Sequence, residues 1–331
     1  MQHVVSVSGG KDSTATYCRA LERGLPFRAV AADTGNEHPA TYEAVNNLAK
    51  ITGGPEVEWV RADFTDKIAH RRTVVVTKWR REGVPEADIE RTLSVLQPTG
   101  NPYVDLCLWK GRFPSRMGQF CTVELKVRPI DEMVTKPLMA AGETVISWQG
   151  VRAAESFERS LLPPFQWINP EYVAGGPTTG KYGVWRPLLR VSDVSEVFAI
   201  SARHGLSPNP LYAAGCSRVG CFPCINASKA EIALVDRVFP EQIERLEEWE
   251  ALVSKAAKRG VSTFFNVTND PVMAEEMRYS REVLGVDPTW TLETHGVREM
   301  IQWAKTDRGG RQWNLFKRPE STVCSTHGAC E

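Results

Sequence analysis

"SVSGGKDSTAT" spans Ser6 to Thr16. It joins an apolar run, His3-Val4-Val5-Ser6-Val7, to a stretch in which Ala15, Cys18 and Leu21 share one helical face. Two adjacent glycines followed by Lys-Asp-Ser at a strand-to-helix junction point to an anion site. Glycines let backbone N–H groups approach an oxyanion closely, and the first turn of a helix adds unpaired donors and a favourable dipole. Lys11 adds a positive charge on a long stem, while Asp12 and Ser13 suit helix capping, and Asp12 also suits a metal ion. The spacing is not that of the common nucleotide-hydrolysing loop, which needs four residues between its glycines before Gly-Lys-Ser/Thr. The competing reading is an ordinary glycine turn with capping residues.

Outward from the loop, strands and helices alternate. Residues 27–35 read as a second strand ending in turn residues, 40–53 as a helix closed by glycine, and 57–63 as a third strand. This rhythm predicts an α/β fold built on a doubly wound parallel sheet, with ligands at the carboxyl ends of its strands. Residues 64–120 break the rhythm with two helices, a basic run and a long loop over 97–120, and read as a helical insertion or lid. Helix returns over 122–142; a strand before Gly150 gives way to loop; "YGVWRPLL" reads as a strand and "DVSEVFAISARHG" as a helix ending at Gly205. The expected organisation is a nucleotide-binding α/β domain over 1–205 and a helical, cysteine-containing region with a flexible tail over 206–331, including a long helix over 229–258.

Composition sets the outer bounds. The chain has 331 residues, 42% hydrophobic and 24% charged, which is ordinary for a globular protein with a sizeable core. Lys and Arg balance Asp and Glu at 40 each, so no global charge draws it toward nucleic acid. No stretch approaches the roughly 20 apolar residues of a membrane helix, and the start lacks a basic region leading into an apolar one. A cytoplasmic location and no membrane partner are expected. In a reducing compartment, eight cysteines read as metal-binding or catalytic groups rather than disulfides.

Further segments follow the loop in order. They are "ADTGNEHPATYE" after the second strand, "FCTVELKVRP", "GVRAAESFER" and "NPLYAAGCSRVGCFPC". With "SGGKDS", this set resembles the PP-loop superfamily, whose members bind ATP and release pyrophosphate. Within it the set is most similar to the phosphoadenylyl-sulfate (PAPS) reductase-like group, and it resembles the DNA-phosphorothioation sulfur-transfer enzymes of that group. The resemblance covers residues 6 to 224. It implies that Ser8, Gly9, Gly10, Lys11, Asp12 and Ser13 hold nucleotide phosphates with Mg²⁺, and that Asp33 and Thr34 lie near the nucleotide. It also implies that Arg152 and Arg159 face phosphate or sulfate, and arginine forks do match tetrahedral oxyanions. The alternative for Arg152, Glu155 and Arg159 is a surface ion-pair set at i, i+3 and i+4 spacing.

Cys221 and Cys224 form a CxxC, which alone is compatible with redox, zinc or cluster chemistry. With Cys216 nearby and Cys121 upstream, four thiolates suit a tetrahedral zinc or an iron–sulfur cluster, and the scarcity of histidine favours an all-thiolate site. The resemblance implies a [4Fe–4S] cluster, zinc being the lesser choice. Relatives often supply two ligands as adjacent cysteines, whereas Cys121 is followed by Thr122. The expected ligands are therefore Cys121, Cys221 and Cys224, with the fourth either Cys107 or Cys216. Cys18 is expected to be an inert core thiol. Cys324 and Cys330, in the polar tail, are candidates for a catalytic sulfur carrier, a second metal clip or an unstructured end.

Three basic stretches, 70–83, 110–116 and 305–318, carry Trp79, Phe113, Trp313 and Phe316. Such groups either grip nucleic acid or form a solvated charged face. The leading expectation is an ATP-dependent sulfur-transfer enzyme acting on an acceptor such as DNA or tRNA, served by a sulfur-donor protein such as a cysteine desulfurase. The alternatives are a PAPS or adenylyl-sulfate reductase, which usually has a degraded loop, and a non-catalytic nucleotide- or nucleic-acid-binding subunit with a structural cluster.

Overall fold

The computed structural model describes residues 1–176, 178–266, 270–285 and 290–308. Six strands form one sheet in the order β3-β2-β1-β4-β6-β5. They are β1 (Gln2–Ser6), β2 (Phe27–Asp33), β3 (Val57–Arg61), β4 (Val145–Trp148), β5 (Phe165–Ile168) and β6 (Tyr182–Trp185). All pairings are parallel except β5 with β6. The antiparallel edge strand β5 lies in a segment read as loop. It is only four residues long and its Phe165 and Trp167 are exposed, so an edge position leaves little hydrophobic signal.

The chain winds outward from β1 to β3 and then returns to β4 on the other side of β1. That reversal makes a crevice at the carboxyl ends of β1 and β4. Alternation along the strands serves both faces. Val5, Val7, Ala29, Ala31, Ile146 and Trp148 pack with Ala15 and Cys18 of α1 (Lys11–Glu22) and with Val197 and Ile200 of the helix Val194–Ala202. Val4, Val30, Val60, Val145 and Val184 face Val134 and Met139 of a helical run between Phe120 and Ala140. This run widens into π-helical turns at Val123–Val127 and Asp131–Thr135. Each widening precedes a proline, Pro129 or Pro137, whose missing N–H removes an ordinary helical bond.

By backbone contacts the chain divides into two compact units, one of Met1–Ala62 with Gln119–Phe222 and one of Asp63–Gly118 with described residues 223–308. The first holds the sheet. The second is helical, with Tyr103, Trp249, Phe264 and Phe113 in mutual ring contact.

Several helix expectations need correction. The stretch 97–120 is not loop throughout, because it contains the helix Pro102–Lys110. Asn101 caps it through the N–H groups of Tyr103 and Val104, Pro102 opens it, and Gly111 closes it at φ +65°. The long helix over 229–258 is two helices, Lys229–Val238 and Pro240–Ala256. Pro240 removes an N–H and disfavours helix at the residue before it. The helix over 40–53 likewise divides into α2 (Pro39–Asn46) and Leu48–Thr52, the latter closed by Gly53 in the left-handed region.

Candidate nucleotide site

The loop after β1 turns on Gly9, whose φ is +78°. A Cβ there would lie 2.7 Å from Thr41 Cγ2 and 3.0 Å from Val45 Cγ2, so both backbone and space require glycine. Gly10 then caps α1 in an extended conformation. Ser8 N–H donates to Ser13 Oγ at 3.0 Å, and Ser13 Oγ donates to the Gly10 carbonyl at 3.1 Å, drawing the loop over the helix start. Asn209 Nδ2 holds the Gly9 carbonyl at 3.4 Å, and Lys11 N–H donates to Tyr212 Oη at 2.9 Å. From the other side Gly150, after β4, approaches so closely that a Cβ would sit 2.8 Å from the Asp12 carbonyl carbon.

Asp12 is 0% exposed and lies between cations. Arg152 Nε meets its Oδ1 at 2.6 Å, and Lys11 Nζ meets its Oδ2 at 3.1 Å. Arg152 also reaches Glu155 at 3.4 Å, and Glu155 pairs closely with Arg159. The i, i+3 and i+4 pairs therefore exist, but Arg152 and Arg159 are buried and Arg152 is in extended backbone, so this is not a surface helical set.

At the end of β2 the side chains interlock. Asp33 Oδ1 accepts from Gly35 N–H at 2.9 Å and Tyr42 Oη at 2.6 Å, and Arg61 stands 3.5 Å from Oδ2. Thr34 donates its hydroxyl to Glu37 Oε1 at 2.6 Å. Burial, reinforced by the Glu37 and Asp33 charges, pushes the Tyr42 phenol up and keeps it a donor.

Beside the loop lies a cavity of about 390 Å³, a size suited to a small ligand. Its floor arises from a change in side-chain size. Val4, Val30 and Val145 fill the sheet face, but two residues later on the same strands stand Ser6, Ala32 and Ser147. Lys126 and Asp131 of the helical run, and Gln149, Tyr182 and Arg186 at the strand ends, complete the wall. Burial pushes Asp131 up to about 6 and Tyr182 up to about 12, and pulls Arg186 down.

Cys216 and Cys107 are buried; Cys121, Cys221 and Cys224 are partly exposed; all are free thiols. Cys121, Cys216 and Cys221 belong to the first unit, Cys107 and Cys224 to the second. Cys221 donates to Glu37 Oε1 at 3.9 Å and lies 3.6 Å from Thr34 Oγ1, while Cys224 Sγ accepts from Asn226 N–H at 3.5 Å. Among the described residues no group of three or more His, Cys, Asp or Glu side chains is arranged to hold a metal ion. Among the described residues the expected cluster cage is thus not displayed. Cys18 is a core thiol, pushed up to about 12 by burial. Cys324 and Cys330 lie outside the described residues.

Much of the basic run 70–83 is used inside the second unit. Arg71 donates to the Ala256 carbonyl, Arg72 to those of Leu93 and Leu96, Arg80 pairs with Glu86, and Lys78 with Glu82. Lys110 instead lies over the Trp109 ring at 3.6 Å, with Lys67 at 4.4 Å from it. The stretch 305–318 is described only to residue 308.

Residues 2–227 match the phosphoadenosine phosphosulfate reductase domain family. The chain belongs to that family. Members bind an adenine nucleotide. The chain is 42% identical to an uncharacterized 37.8 kDa protein in the gpa 5′ region of Escherichia phage 186, over 99% of this chain and 96% of that one. It is 27% identical to an uncharacterized nin region protein of Escherichia phage lambda, over 51% of this chain and 54% of the relative. Among solved structures it is similar to the PAPS reductase of Candida auris in its phosphate complex, at 13% identity and TM-score 0.39, covering 67% of this chain and 82% of that one. Among the described residues no helix is long and apolar enough to cross a membrane.

Within this family fold, Asn209, Tyr212, Gly150, Gln149 and Arg186 were not singled out as site residues from sequence. The Asn-Pro pair at 209–210 is a helix-start signal, but nothing local shows that its helix reaches the loop after β1.

Proposed function

We propose that this chain binds ATP on the loop Ser8–Ser13 and catalyses adenylyl transfer to an acceptor oxygen, preparing that acceptor for sulfur insertion. The acceptor oxygen bonds to the α-phosphorus, the α–β phosphoanhydride bond breaks, and pyrophosphate leaves. The outer sulfur of a donor-protein persulfide, such as that of a cysteine desulfurase, then bonds to the activated acceptor centre as its bond to oxygen breaks and AMP departs, and a thiol reductant cleaves the resulting S–S bond, releasing the thio product and the donor cysteine and leaving the reductant as a disulfide. A nucleic acid, either a DNA backbone or a tRNA base, is the acceptor this reading favours.

The observation that carries the proposal is the intact Lys11-Asp12 pair, set with buried Arg152 at the N-terminus of α1 beside the cavity. Asp12 Oδ2 is buried and, among the described residues, has no hydrogen-bond partner besides the Lys11 ammonium 3.1 Å away. A carboxylate oxygen suits a hard cation, so Asp12 would hold Mg²⁺, which when bound supplies charge neutralisation at the phosphates. Lys11 follows the phosphate charge as it shifts toward the leaving pyrophosphate. Arg152 holds Asp12 in place through its Nε, 2.6 Å from Oδ1. The backbone N–H groups at the start of α1 are preorganised donors, and such preorganisation is the main catalytic effect in phosphoryl-type transfer.

A second reading, sulfate reduction, draws support from the family description itself. One experiment separates the two. The protein is purified without oxygen, analysed for iron, sulfide and zinc, and incubated with ATP or PAPS, with and without DNA or tRNA. Pyrophosphate and AMP formed from ATP, and lost in Lys11→Ala, support adenylyl transfer. Sulfite and adenosine bisphosphate from PAPS would overturn it in favour of reduction. Metal content reads the cluster expectation independently.

A further inference from the structure

Arg186 follows β6 and lines the cavity, and its state is costly for folding alone. The residue is 3% exposed. Its Nη1 donates to the Pro163 carbonyl at 3.0 Å, while Nε is buried without a hydrogen-bond partner. Among the described residues the guanidinium forms no ion pair. Arginine does not shed its proton in proteins, so a buried guanidinium with one carbonyl partner is an incompletely compensated charge. The Nη1 bond leaves the Nε–Nη2 edge, the edge that forks onto an oxyanion with two parallel hydrogen bonds.

Position separates this group from the phosphate loop. β4 lies between β1 and β6, so two strand spacings, roughly 10 Å, divide the strand ends that carry the loop and Arg186. One phosphate cannot occupy both. On the intervening strand end, Gln149 also lines the cavity. The wall therefore offers an arginine fork for an oxyanion.

We propose that Arg186 is a binding residue for an oxyanion of the phosphate or sulfate class carried by the second substrate, held while the nucleotide occupies the loop. The assignment rests on reading the loop as the nucleotide site, and it names the chemistry of the other reactant.

The test uses the full chain saturated with a non-hydrolysable ATP analogue. Inorganic phosphate and inorganic sulfate are titrated separately by calorimetry into the wild type, Arg186→Gln and Arg186→Lys. The wild type is expected to bind one further oxyanion. Arg186→Gln is expected to weaken it by about tenfold or more with analogue affinity unchanged, and Arg186→Lys to fall between. Stronger phosphate binding assigns a phosphorylated substrate, and stronger sulfate binding a sulfated one. Absence of a second anion, or equal affinity in all three proteins, overturns the proposal. If Arg186→Gln fails to fold, the comparison with Arg186→Lys decides. The same titration on Lys11→Ala without nucleotide reads Arg186 even if ATP proves not to be the substrate, so the two proposals fail separately.

Discussion

Asp12 in the first unit is 0% exposed and Glu250 in the second is 2% exposed, yet the two carboxylates are held by opposite means. Asp12 lies between the charges of Arg152 and Lys11. Among the described residues Glu250 forms no ion pair. Its oxygens accept the backbone N–H groups of Phe264 at 2.6 Å and Val297 at 2.8 Å. Burial, reinforced by the Glu247 charge, pushes Glu250 up to about 7. A carboxylate set between cations belongs to a polar cluster that a ligand can join. One that only ties backbone together does so at the cost of its charge and remains structural. The first arrangement belongs in a site and the second in a core.

The largest expected effect comes from breaking the ionic pair. Arg152→Met strips Asp12 of its closest cation and leaves a buried charge exposed to desolvation, so the loss of unfolding free energy should be about 3–5 kcal/mol. Urea denaturation measures it. A loss of about 0.5 kcal/mol, the range of an ordinary surface substitution, would show that Asp12 does not depend on its partner. Lys11→Ala should act differently. Arg152 still holds Asp12, so stability should change little, while pyrophosphate release should fall by about 10²–10³, the typical cost of one preorganised transition-state group. Equal losses of stability and activity would place Lys11 with the structural groups.

Glu250 gives the next test, through pH. Its folded pKa, about 7, lies above the ordinary value of 4.5. The folded state therefore binds the proton more tightly than the unfolded chain. The stabilisation is fully present below pH 4.5 and is lost as pH rises through 7, an effect of about 3 kcal/mol across that window. Glu250→Gln should remove this slope from the stability–pH curve. An unchanged slope would mean that Glu250 is not the group titrating in this window, and the contrast drawn from its burial would collapse.

How much of this was legible beforehand follows from how local each cause is. The order of strands β1 to β3, the loop and α1 are written in runs of apolar residues and in Gly9-Gly10, because each depends on its own neighbours. The pairing of Asp12 with Arg152 joins residues far apart in sequence, and family motifs rather than periodicity pointed to both. Gln149 and Arg186 carried no signal. A single arginine after an apolar strand reads as a solvated end until β6 is known to sit beside β4 and the helical run to roof them. The break at Pro240 was visible in the sequence, but the apolar spacing continues across it and masked the change of helix.

The smallest expected effect refines what a backbone-binding carboxylate is worth. Ser228 and Glu231 form a capping box at the start of Lys229–Val238, Glu231 accepting the Ser228 N–H at 2.7 Å and Ser228 Oγ accepting the Glu231 N–H at 3.3 Å. The Ser228 hydroxyl, like the Glu250 carboxylate, is a side-chain acceptor on a backbone donor, but this helix end is only part-buried, so water can replace a lost partner. Ser228→Ala should cost about 1 kcal/mol. Glu250→Ala leaves two buried N–H groups without acceptors, each costing about 1–3 kcal/mol, and should cost several times more. If chemical denaturation finds the two substitutions equal, burial is not what makes Glu250 important, and the distinction drawn from its raised pKa loses its footing.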